Sequence, residues 1–259
     1  MNERRRGAPF VGSTGGDAAG LAARVGASVL RLEVVDGFDL TPSMRRLRLR
    51  DQTLRTLSYE PGQDLMVAVP VDDSLTTRRR YTIRRIDRDA GIVDLDISRH
   101  SDGPGARWAT EVAPGDEVDA IGPRGKVVLD GDADWHLFIG DETFVPAVAA
   151  MVEAVPGGRP ALAVIEVDGS IEEQPLSADP CVWVHRGDGP LGDPALLTGA
   201  ASAIDLPPGR GHAYVAGEKQ VVAEVKAVLL GRGMTAEQVS AKSYWRLGVA
   251  NAPHGEPGP

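Results

Sequence analysis

A chain of 259 residues, 42% hydrophobic and 25% charged, has the composition of an ordinary globular protein and the length of two medium domains. The net charge of -9 argues against general nucleic-acid binding, which needs a basic surface to displace counterions from phosphates. The one cysteine, Cys181, has no internal disulfide partner, no Cys/His cluster has the spacing of a metal site, and no apolar run approaches the ~18 residues that cross a bilayer. These features lead us to expect a cytoplasmic monomer with no resident metal.

Residues 1–27 carry Arg4-Arg5-Arg6 ahead of a stretch too rich in glycine and too poor in leucine for an export signal, so they read as a disordered tail. Apolar alternation then predicts strands at Val29–Val35, Met44–Leu49, Asp64–Val69, Arg80–Ile86, Ile92–Ser98 and Glu117–Ile121, with one helix over Ala106–Val112. Short strands at this spacing predict an antiparallel barrel over residues 28–130. From Trp135 strands alternate with helices: Trp135–Ile139, a helix Glu142–Ala154, Ala161–Val167, Val182–His185, His212–Ala216 and a helix Glu218–Leu230. That order predicts a mostly parallel, Rossmann-like sheet over residues 131–250, with the boundary near Asp130-Gly131-Asp132. Residues 251–259 read as a second tail.

The chemistry concentrates in one stretch. Between Arg78 and Arg107 stand eight arginines against five aspartates, a cationic patch in an acidic chain. On a strand Arg79 and Tyr81 share a face, where a guanidinium can fork onto a phosphate and a phenol ring can lie against a flat aromatic. The small residues of Gly103-Pro104-Gly105-Ala106 then open a helix whose amides can meet an anion. The plainer alternatives are a solvated edge strand and an ordinary proline turn. Together the two segments describe a site for an anionic, aromatic ligand such as a flavin dinucleotide. His136, His185 and His212 lack ligand spacing and read as core or surface histidines, and Cys181 reads as a small buried hydrophobe.

The order Leu40-Thr41-Pro42-Ser43-Met44-Arg45-Arg46, Arg79-Arg80-Tyr81-Thr82-Ile83-Arg84, Asp94-Leu95-Asp96 to His100, Asp102-Gly103-Pro104 to Trp108, Gly122-Pro123-Arg124-Gly125, Gly140-Asp141-Glu142-Thr143 to Pro146, Ala216-Gly217-Glu218 and Tyr244-Trp245-Arg246-Leu247-Gly248 resembles the siderophore-interacting protein family. The resemblance spans roughly residues 28 to 250 in the family's order. It implies a Greek-key flavin-binding barrel joined to an α/β half, as in the ferredoxin-reductase superfamily, that acts as a ferric-siderophore reductase with noncovalent FAD. By that resemblance Arg79 would hold the pyrophosphate and Tyr81 and Thr82 the isoalloxazine, with Arg80, Ile83 and Arg84 on the same cofactor segment. His100, Gly103, Pro104, Gly105, Ala106 and Arg107 would take the rest of the dinucleotide. Asp141 and Thr143 would face the cofactor, and Trp245 would close over it. Arg246, Arg124, Lys242 and Arg48 are the candidates for attracting an anionic siderophore, with a merely solvated basic rim as the alternative. Ser101, Gly105-Ala106 and Phe144 depart from the family's usual glycine, Ala-Ser and smaller residue.

No residue is expected to act as acid or base, because the flavin carries the electron transfer. NADH, NADPH or a ferredoxin remains open as donor, since Asp141 and Glu142 stand where dinucleotide-binding turns place glycines. A ferric reductase without siderophore selectivity and a non-catalytic flavin or siderophore binder are the competing readings.

Overall fold

The computed structural model describes residues 26–72, 75–100 and 102–249. Nearly all of both expected tails, together with Ser101, lies outside those residues. The chain divides into two compact units, Met1–Gly125 and Lys126–Pro259. The division precedes Asp130 because that residue belongs to the second unit. The Asp130 amide donates to the Tyr214 hydroxyl at 2.7 Å, and its carboxylate accepts from Arg210 at 2.6 Å.

In the first unit β1 (Ser28–Asp39), β2 (Met44–Arg50), β3 (Asp64–Pro70), β4 (Thr76–Thr82), β5 (Arg85–Asp87), β6 (Ile92–Ser98) and β7 (Glu117–Arg124) form one antiparallel sheet in the order β4-β3-β7-β1-β2-β6-β5. Alternate residues, among them Leu30, Leu32, Leu47, Leu49, Leu65, Val67, Val93 and Leu95, point inward and form one core with Trp108. The helix α1 (Pro104–Glu111) supplies that tryptophan.

The expected continuous strand Arg80–Ile86 is broken. The Ile83 amide donates to the Gln63 carbonyl beside β3, and the next amide, Arg84, donates to the Asp94 carbonyl in β6. The chain thus turns a corner at Ile83, leaving one sheet edge and joining the other, while the Ile83 side chain is wholly buried. Apolar alternation continues through such a corner, so periodicity cannot report it.

The second unit holds β8 (Trp135–Asp141), β9 (Ala161–Val167), β10 (Cys181–His185), β11 (Gly211–Glu218) and β12 (Val239–Trp245), all parallel, in the order β10-β9-β8-β11-β12. Residues of β8 and β9 are buried on both faces, as parallel strands covered by helices must be. Leu137 and Ile139 pack under α3 (Ala195–Ala203) and α4 (Lys219–Gly231), and Phe138 packs under α2 (Val145–Val152) on the opposite face. The expected helix Glu142–Ala154 opens instead with a 3-10 turn, Glu142–Phe144, ahead of α2, where Pro146 sits in the first turn. The small-residue helix α3 and the strand β12 have no counterpart among the predicted elements. Among the described residues no helix is long and apolar enough to cross a membrane.

Candidate functional site

The first unit brings Arg79, Tyr81 and the start of α1 together. A Cβ placed on Gly105 would lie 2.3 Å from the Tyr81 hydroxyl and 3.4 Å from Arg79 Cγ, so only glycine lets the helix start approach this closely. Tyr81 also stacks on Trp108, ring centroids 6.1 Å apart, and burial raises its phenol well above the usual range. The Gly103 cap brings no side chain to the helix start, and Pro104 occupies the first turn. Among the described residues no side chain caps the helix start, where the Gly105 and Ala106 amides stand.

Arg79 is half-buried, and its Nη1 donates only to the Thr77 hydroxyl at 3.1 Å and the Arg78 carbonyl at 2.9 Å. No carboxylate among the described residues pairs with it, and desolvation lowers its pKa. A desolvated guanidinium lacking a counter-ion, beside an uncapped helix start, is a cradle for a phosphate group. The residues present fit the diphosphate and ring of a flavin dinucleotide.

The neighbouring candidates are held in several ways. Arg80, on the opposite face of β4, grips Asp64 through Nε at 2.8 Å and Nη2 at 2.6 Å. This buried ion pair joins β4 to β3. Thr82 is buried at the end of β4, Ile83 belongs to the core, and Arg84 and His100 are half-buried. Arg107 is exposed and donates to the Asp102 carbonyl at 2.5 Å. Arg124 lies 3.0 Å from the Met66 sulfur, and Arg48 lies 3.5 Å from Asp94, which also receives Arg46 and Arg85. Arg48 is thus part of an ion-pair network on the sheet.

In the second unit Asp141 is buried and its carboxylate accepts four hydrogen bonds. Oδ1 takes the Thr143 amide at 2.9 Å and the Thr143 hydroxyl; Oδ2 takes the Glu218 amide and Trp245 Nε1, each at 2.9 Å. A Cβ on Gly217, whose φ is +140°, would lie 2.3 Å from Oδ2, so the strand end there requires glycine. Asp141 therefore ties the ends of β8, β11 and β12 together. Trp245 is fixed by that bond, Thr143 is partly exposed, and Arg246 is exposed. Lys242, expected on a basic rim, is 3% exposed and lies 5.4 Å from the Tyr244 ring centre. Its place on β12 turns the stem inward, where the aromatic face receives the ammonium.

Glu142 and Arg186 complete a feature that sequence spacing does not reveal. Arg186, after β10, lies 2.9 Å from Glu166 and 3.7 Å from Glu142, and also pairs with Asp168. Arg186 and these partners come from the ends of three strands, β8, β9 and β10. Burial and the neighbouring Asp141 push Glu142 up to about 8. A carboxyl whose folded pKa is raised contributes most in acid and loses its contribution as pH climbs from the ordinary carboxylate range to about 8. Glu142→Gln, which resembles the protonated form, is expected to flatten the stability profile across that window and to exceed the parent above it. Urea denaturation across pH checks this; a variant profile parallel to the parent's refutes it.

Two family models match the chain. Residues 51–127 match the siderophore-interacting FAD-binding domain, and residues 133–248 match siderophore-interacting protein. A crystal structure of a siderophore utilization protein from T. fusca is 30% identical, with a TM-score of 0.78 over 88% of this chain and 96% of that one. The chain belongs to the siderophore-interacting protein family. Another relative is ferric vibriobactin reductase ViuB of Vibrio cholerae, 30% identical over 177 residues, which are 66% of this chain. The chain spans 65% of the length of the curated relatives it matches first, ViuB included. A ferredoxin reductase of carbazole 1,9a-dioxygenase shares the fold at 20% identity and a TM-score of 0.69, over 85% of this chain and 70% of that one. The siderophore-interacting protein thus combines an FAD-binding unit with the parallel-sheet half of the ferredoxin-reductase fold. Among its described residues no cluster of His, Cys, Asp or Glu is arranged to hold a metal ion.

Proposed function

We propose that this siderophore-interacting protein is an FAD-dependent oxidoreductase that reduces iron(III) held by a siderophore to iron(II). The observation that carries the reading is Arg79, a half-buried cation with no carboxylate partner among the described residues, set against the start of α1 and the Tyr81 ring. Arg79 would neutralise the diphosphate through charged N–H bonds, and the Gly105 and Ala106 amides would take further phosphate oxygens. Tyr81, backed by Trp108, would present a rigid ring edge to the flavin. Bound FAD supplies the conversion of a two-electron input into single-electron steps. Iron(II) is held less strongly than iron(III) by hard oxygen ligands, so reduction favours release. Exposed Arg246, with Arg124 and Arg48, would add positive charge that attracts anionic siderophores.

The family's FAD-binding domain and the ferric reductase among the relatives favour this over a non-catalytic binder. Anaerobically reduced holoprotein is expected to be reoxidised at least about tenfold faster by one member of a ferric-siderophore panel than by ferric citrate or ferric EDTA. Equal rates would identify a ferric reductase without siderophore selectivity. Absence of reoxidation by any ferric chelate would remove the enzymatic reading.

A further inference from the structure

Doubly wound sheets bind anionic dinucleotides at the carboxyl ends of their strands, where an open helix start points amides at the pyrophosphate. In the second unit the strands β8 and β11 are neighbours, and each runs directly into a helical segment. Both starts are filled by carboxylates of the chain itself. After β8, Asp141 Oδ1 accepts the Thr143 amide, the Val145 amide is spent on the Glu142 carbonyl, and Pro146 has no amide to offer. After β11, Glu218 Oε2 accepts the amides of Gln220 and Val221, the latter at 3.1 Å, while Oε1 accepts the Leu247 amide at 3.2 Å. Asp141 and Glu218 are 5% and 4% exposed, and Asp141 Oδ2 also accepts the Glu218 amide.

The surrounding charge points the same way. Glu166 and Asp168 border these strand ends, and the cation beside them, Arg186, is held by both. A diphosphate arriving there would meet carboxylates in place of donors. The contrast with the first unit is direct: there, among the described residues, the helix start has no side-chain cap and its arginine has no carboxylate, whereas here a carboxylate of the chain accepts amides at each start.

We propose that Asp141 and Glu218 are specificity-determining residues that bar the second unit from gripping a nicotinamide dinucleotide by its pyrophosphate. The donor is therefore recognised through its dihydronicotinamide end, and a mononucleotide serves as well as NADH or NADPH. This rests on the reductase reading for its kinetic consequence but not for its binding consequence.

The test uses full-length protein loaded with FAD. Calorimetric titration with ADP-ribose and with inorganic pyrophosphate is expected to show no saturable binding up to about 5 mM. Anaerobic bleaching of the flavin, in which the donor loses a hydride and becomes the pyridinium, is timed with NADH, NADPH and reduced nicotinamide mononucleotide. Their second-order rate constants are expected to agree within about tenfold. Saturable ADP-ribose binding below about 5 mM, or a dinucleotide advantage of tenfold or more, overturns the proposal. If no nicotinamide bleaches the flavin, a nicotinamide-driven reductase is excluded, and the calorimetry alone decides whether the two helix starts are closed to phosphate.

Discussion

Arg79→Met is expected to weaken FAD binding by about 10- to 100-fold while leaving the apoprotein at least as stable as the parent. The affinity loss follows from charged hydrogen bonds to phosphate, worth about 1.5 to 3 kcal/mol when a partner is removed. The stability result follows from burial without compensation. The guanidinium is half-buried, bonds only a hydroxyl and a carbonyl, and has no carboxylate among the described residues, so the folded apoprotein bears its desolvation cost. A methionine of similar length removes that cost and keeps the packing. Flavin fluorescence quenching measures the affinity and thermal denaturation of the apoprotein the stability. Unchanged affinity would place the phosphate elsewhere, and a large loss of apoprotein stability would make Arg79 a structural residue.

One position along the strand, the opposite outcome is expected. Asp64→Ala should cost about 3 to 5 kcal/mol of unfolding free energy, because it strands the Arg80 guanidinium in a site where it is 11% exposed. The combined Asp64→Leu, Arg80→Met change should recover much of the loss. FAD affinity in folded Arg80→Met protein should stay within about threefold of the parent. Urea denaturation and flavin titration separate the two arginines: Arg79 acts on affinity and Arg80 on stability. A severe affinity loss in Arg80→Met would return it to the cofactor site.

That separation was only half legible beforehand. Side-chain alternation places Arg79 and Tyr81 together on one face and Arg80 on the other, and the glycines after Asp102 announce a helix start that a backbone or ligand can approach. Nothing in the triple arginine says which one has a carboxylate waiting. Asp64 stands sixteen residues earlier, and it meets Arg80 because β3 and β4 pair with Asp64 opposite Thr82. The burial of Lys242 was hidden for a related reason: the segment Val239–Trp245 showed its motif but not its strand, and as part of β12 it carries the lysine inward. The helix α3 escaped notice because its alanines, glycine and threonine give no polar face to contrast with a buried one.

What the sequence by itself determined is the kind of protein: an antiparallel unit followed by a parallel one, a cationic segment suited to an anionic aromatic ligand, and the family whose motifs appear in order. These depend on local periodicity, turn chemistry and the side chains available, which neighbouring residues carry on their own. The tertiary structure decided which charges remain available. It neutralised Arg80 with Asp64, placed Asp141 and Glu218 at the two helix starts of the parallel sheet, and left Arg79 with no carboxylate among the described residues. Ion pairs and caps are settled by distances of about 3 Å between groups far apart in the chain, and strand register sets those distances.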